Sequence, residues 1–124
     1  MKSIMKLVAF LAMTAAAPAL FAEATGEAEV RAAAEGTVAK IQEALSLSEK
    51  GVDKEEVNKV INDARQLQKE FRYERTERQR QKAGNLLRVA RDEIEKGDKV
   101  AGETALKTSL ASFQEMLKVY LAAH

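Results

Sequence analysis

The sequence has no cysteine and no tryptophan, a single proline and a single histidine. Each absence removes a class of chemistry. Without cysteine there is no disulfide to supplement a small core, no thiolate nucleophile and no soft-metal ligand. The only histidine is the last residue, His124, so nucleophilic triads and histidine metal pairs have nothing to build on. No Gly-rich phosphate loop occurs, and no D-x-D-x-D-G loop for calcium. None of the acidic residues falls on an apolar stripe, where burial would tune a carboxyl for acid/base work. Glu55, Glu56, Asp92, Glu93 and Glu95 remain as hard-cation ligands, but acids in the first turn of a helix serve it as caps and dipole partners. These residues predict no catalytic site, no metal site and no cofactor.

The first residues are organised differently from the rest. Lys2 and Lys6 precede an apolar run from Leu7 to about Ala17, then come Pro18, small residues and acid. That order predicts a secretory signal peptide over residues 1–22, with a cut after Ala22 or, alternatively, Ala24. The apolar run is shorter than the roughly 20 residues that span a bilayer, so no stable membrane span is expected. No cysteine follows it, which excludes a lipoprotein anchor. The expected location is the periplasm. Loss of Lys2 and Lys6 leaves 18 basic against 19 acidic residues in a chain from Glu23 onward, enough for one domain, residues 23–124.

The remaining composition, rich in Ala, Glu, Lys, Leu and Gln with no proline after Pro18, predicts an all-α fold. Four apolar stripes follow at helical spacing. The first is Val30, Ala34, Val38, Ile41 and Leu45, ending at Lys50-Gly51. Asp53 then caps a second stripe, Val57, Val60, Ile61, Ala64, Leu67 and Phe71. The third is Ala83, Leu86, Leu87, Ala90 and Ile94, ending at Lys96-Gly97 with Asp98 in the next capping position. The fourth runs from Ala101 through Leu106, Ser109 and Phe113 to Leu121. The shared element E-K-G-(x)-D-K at the two turns suggests a weak internal repeat, in which Val60-Ile61 falls on Ala105-Leu106 and Phe71 on Met116.

Two hairpins of this kind, residues 27–72 and 78–123, predict an antiparallel four-helix bundle. The chain then has to reverse between Phe71 and Lys82, where no proline or glycine stands; Thr76 and Gln79 offer a capping box. The alternative is one helix from residue 53 to 96, about 66 Å at 1.5 Å per residue, which leaves apolar faces bare and predicts a swapped homodimer rather than a monomer.

The same stretch, FRYERTERQRQKAGN, carries the one local excess of charge. Arg72, Arg75, Arg78, Arg80 and Lys82 are candidate anion-binding residues, with Tyr73 available to stack. Glu74-Arg78 and Glu77-Arg80 have the spacing of intrahelical ion pairs. For an exported protein the fitting anionic ligand is a phosphate-bearing lipid or a polysaccharide, not nucleic acid. A second class of function, a structural or chaperone-like role toward an unknown protein through an amphipathic helix face, is open as well.

The segments AKIQEALSLSEKGVDKEEV, NLLRVARDEIEKGDKVA and TALKTSLASFQEML resemble small exported helical-hairpin proteins of the small metal-binding protein type. The resemblance implies two hairpins with glycine-containing turns and a non-catalytic binding role. The helix faces of that family are rich in histidine; these are not, and no metal residue carries over. The last hairpin is also similar to the exported four-helix b-type haem cytochromes. Their axial Met and His have no counterpart here, where the last helix carries Leu117 and Tyr120, so this likeness implies the fold without haem.

Overall fold

A computed structural model describes the backbone from Pro18 to His124 and the side chains from Gly26 onward. The expected leader, residues 1–22, and its cut points lie outside the residues with described side chains. Four helices follow in order: α1 (Pro18–Glu49), α2 (Lys54–Gln68), α3 (Glu77–Glu95) and α4 (Lys99–Ala123), with a short 3₁₀ turn at Glu74–Thr76 before α3. Each helix packs on its neighbours in the chain, and α1 closes the ring against α4. The result is the expected four-helix bundle, and the chain reverses after Gln68 instead of continuing as one helix to residue 96.

The stripes become the core because each turns inward on the same axis. Ile41, Ile61, Leu87, Leu106, Phe113 and Met116 are fully buried, three from α4 and one from each of the other helices. Each such side chain contributes about 1.5–3 kcal/mol of transfer free energy. On α1 the expected Ala34, Ile41 and Leu45 are buried and Ala33, Thr37 and Ala44 join them, while Val30 and Val38 only lean on this core. Small residues let the helices approach. The Oγ of Ser109 donates to the Ala83 carbonyl at 2.9 Å, and Gly102 lies where a Cβ would stand 2.5 Å from Ile94 Cγ1.

Both hairpin turns use the same closure. Gly51 and Gly97 adopt φ of +78° and +91°. Behind them Val52 N–H donates to Leu47 O and Asp98 N–H to Glu93 O, the long bond of a Schellman cap. The positions aligned by the internal repeat are equally buried: Val60 with Ala105, Ile61 with Leu106, Phe71 with Met116. The two caps that follow differ from each other. Asp98 accepts from Ala101 N–H at 3.1 Å as expected, whereas the Asp53 side chain makes no cap bond and its backbone carbonyl receives Glu56 and Val57 instead.

Candidate anion-binding pole

The two glycine turns lie at one end of the bundle, and the basic residues from Arg72 to Lys82 lie toward the other. There the reversal is held by an aromatic cluster. Phe71 is fully buried and meets Tyr120 edge-on, with centroids 5.9 Å apart. Tyr73 packs edge-on against both Tyr120 at 5.3 Å and His124 at 5.4 Å, and His124 stacks on Tyr120 at 4.1 Å. The Tyr120 hydroxyl donates to the Glu27 carbonyl at 3.4 Å, bringing α1 to the same place. Burial, reinforced by Glu27, pushes the Tyr120 hydroxyl pKa above its ordinary value. His124 is thus not a frayed terminal residue but part of this cluster.

Arg80 is held differently from the other candidates. Its Nε donates to Glu77 Oε2 at 3.0 Å and its Nη2 to Glu77 Oε1. Nη1 crosses the reversal to Gln68, reaching Oε1 at 2.7 Å and the carbonyl oxygen at 3.3 Å. The hydrogen bond from Arg80 holds the Glu77 carboxyl below the usual glutamate range; burial opposes this, and the charges of Arg80 and Arg72 add to it. Arg80 is a clasp between α2 and α3 before it is a ligand for anything else.

Arg72, Arg75, Arg78 and Lys82 are exposed, and among the described residues none makes an ion pair or a side-chain hydrogen bond. Arg72 lines an open cleft of about 660 Å³ together with Lys69, Tyr73, Glu74, Glu77 and Arg80. Glu77 is answered by Arg80, which leaves Lys69 and Arg72 against Glu74. Arg75, Arg78 and Lys82 do not line the cleft. Tyr73 does, but its ring is already engaged by Tyr120 and His124, so it is not a free stacking platform.

Two local expectations fail here for a shared reason. Glu74 sits in the 3₁₀ turn and not on α3, so it forms no ion pair with Arg78. Thr76 does precede α3, but its hydroxyl donates back to the Tyr73 carbonyl at 3.3 Å, and Gln79 turns to Ser112 on α4. The capping box is replaced by tertiary contacts. Gln68, Tyr120 and His124 were not singled out for this site; the i, i+3 spacing of Glu77 and Arg80 was the one visible signal of the clasp.

The arrangement can attract and hold negative charge, because cations outnumber nearby acids on a surface open to solvent. Among the described residues no group of three or more metal-ligating side chains converges, and no helix is long and apolar enough to cross a membrane. No family model, curated protein or solved structure matches this chain.

Proposed function

We propose that this chain is an exported, non-catalytic binding protein whose reversal pole holds an anionic ligand bearing phosphate or sulfate groups. The observation that carries the reading is the set of four exposed cations, Arg72, Arg75, Arg78 and Lys82, left without partners where Arg80 beside them has two, Glu77 and Gln68. Elsewhere on the bundle Arg31 answers Glu35 and Arg88 answers Asp92, and the lysines without a partner, Lys50, Lys59, Lys107 and Lys118, stand far apart in the sequence. At the basic pole four such cations fall between residues 72 and 82. The resemblance to small exported helical-hairpin proteins supports an accessory binding role, without their metal.

The test is retention on an immobilised sulfated or phosphorylated polymer in a salt gradient. The protein is expected to be retained, and the variant carrying Arg72→Glu, Arg75→Glu and Arg78→Glu to elute near the void. Equal elution of the two proteins would remove the reading.

A further inference from the structure

Arg80 stands between two surfaces. It lines the cleft at the pole, and it lines a shallow groove of about 320 Å³ between α2 and α3. Three arginines, Arg65, Arg80 and Arg88, and three carboxamides, Gln68, Gln81 and Asn85, wall that groove; no carboxylate does. Gly84 completes the wall, leaving α3 without a side chain at that point.

Arg80 is engaged by Glu77 and Gln68, and the other two cations of the groove are only partly answered. Arg88 reaches Asp92 at 3.5 Å with both side chains close to half exposed, and Arg65 bonds the neutral Asn62. Arg65 and Arg88 face the groove from α2 and α3, and with no carboxylate in its wall an anion there meets cations from both helices. Asn85 Oδ1 already accepts from Arg88, so its amide nitrogen is the part left to act, as a donor.

We propose that the cleft and the groove form one cationic track for a linear polymer of oxyanion groups, running from Lys69 and Arg72 past Arg80 to Arg65 and Arg88. This rests on the pole being an anion-binding surface, as proposed above, and adds what kind of anion it takes. Three observations select a polymer of bare charges. Arg80 and Arg88 are about 12 Å apart along α3 at 1.5 Å per residue, more than one phosphate can bridge. Tyr73, the one aromatic on the track, is packed against Tyr120 and His124, which leaves no platform for the bases of a nucleic acid. Val100 and Leu121 are the exposed large apolar side chains among the described residues, and neither lines the track, so nothing there inserts among lipid chains. Guanidinium forks and amide donors suit phosphate and sulfate alike. Inorganic polyphosphate and sulfated polysaccharide both carry that chemistry.

The test titrates purified protein with pyrophosphate, long-chain polyphosphate and heparin at several salt concentrations. Two variants accompany it: Arg65→Gln with Arg88→Gln in the groove, and Arg72→Gln, Arg75→Gln and Arg78→Gln at the pole. Circular dichroism checks that both remain folded. Long chains are expected to bind far more tightly than pyrophosphate. The groove variant should lose on the order of tenfold in polymer affinity, with the slope of log K against log[salt] shallower by about 1.5–2, and should keep its pyrophosphate affinity. A groove variant that binds the polymer as the parent does, with the same slope, overturns the track and leaves the pole reading intact. A pole variant that also binds as the parent does overturns both, as does failure of the parent to bind either polymer. Where the track holds, the tighter of polyphosphate and heparin identifies the source of the anion.

Discussion

Arg80 Nη1 donates to the side-chain oxygen of Gln68 at 2.7 Å and to its backbone carbonyl at 3.3 Å, across twelve residues of chain. Gln68 is the last residue of α2, and its carbonyl already accepts from Phe71 N–H at 3.1 Å as the chain turns. A side chain from the next helix becomes its second donor. The same guanidinium is locked by Glu77 in the first turn of α3. One residue thereby ties the end of one helix to the start of the next, and a reversal without glycine or proline becomes definite.

Replacing that residue should cost stability. Arg80→Gln removes the bonds to Glu77 and shortens the reach to Gln68, with an expected loss of about 1–3 kcal/mol for charge-assisted bonds at a largely buried guanidinium. Arg78→Gln, two residues away and exposed, should stay within about 0.5 kcal/mol of the parent. Urea unfolding of the two variants measures the difference.

Acid should dissolve the clasp through Glu77. Its folded pKa lies below the ordinary value, first because of the hydrogen bond from Arg80. A group depressed on folding contributes stability that is fully present above its unfolded pKa, about 4.3 for glutamate, and lost as pH falls through the folded value. Glu77→Gln should therefore melt below the parent at neutral pH, and the gap should close as pH falls below about 4. A gap of constant size across that range would show that Glu77 carries no such coupling.

Tyr120 makes the opposite case at high pH. Its pKa is raised on folding, chiefly by burial, so the contribution is intact below the unfolded value of about 10 and lost as pH rises through the folded one. Tyr120→Phe keeps the contacts with Phe71 and Tyr73 and gives up only a long bond to Glu27. It should cost under about 1 kcal/mol and lessen the loss of stability in alkali. Tyr120→Ala should cost about 3 kcal/mol or more. Thermal melts over that pH range compare the three proteins.

Much of this fold is legible in the residues, and the boundary is physical. Gly51 and Gly97 announce their turns because a left-handed backbone favours glycine, and the apolar stripes announce four helices because burial follows their period. The reversal at residues 69–76 has no such mark. It is fixed by Phe71 reaching the core, Tyr73 meeting Tyr120 and Arg80 reaching Gln68, contacts made only after the helices pack. The candidate arginines divide for the same reason. All four look alike along the chain, but Arg80 alone lies where Glu77 and Gln68 converge, and Arg65 meets the pole only through the pairing of α2 with α3.

Two glycine substitutions separate crowding from backbone strain. Gly102→Ala places a methyl 2.5 Å from Ile94 Cγ1 and 3.3 Å from the Ala90 carbonyl, so α3 and α4 must part, at about 1–3 kcal/mol. Gly97→Ala meets no atom within 4 Å, and its cost is that of an alanine at φ +91°, about 1–2 kcal/mol. Gly102→Ala should alter the packing of the core around Ile94, while Gly97→Ala should leave that core as it is. Methyl NMR shifts of Ile94 distinguish the two.

The reversal after Gln68 decides where every one of these charges lies, and a distance measures it directly. The chain has no cysteine, so Glu55→Cys with Lys96→Cys gives two spin labels and no others. In the closed bundle, where Lys54 Nζ reaches the Glu95 carbonyl at 3.1 Å, the labels should lie about one helix spacing apart, roughly 10 Å plus the label arms. Dilution with unlabelled protein removes pairs between molecules. A distance near 60 Å, the length of an unbroken helix from 55 to 96 at about 1.5 Å per residue, would contradict the account.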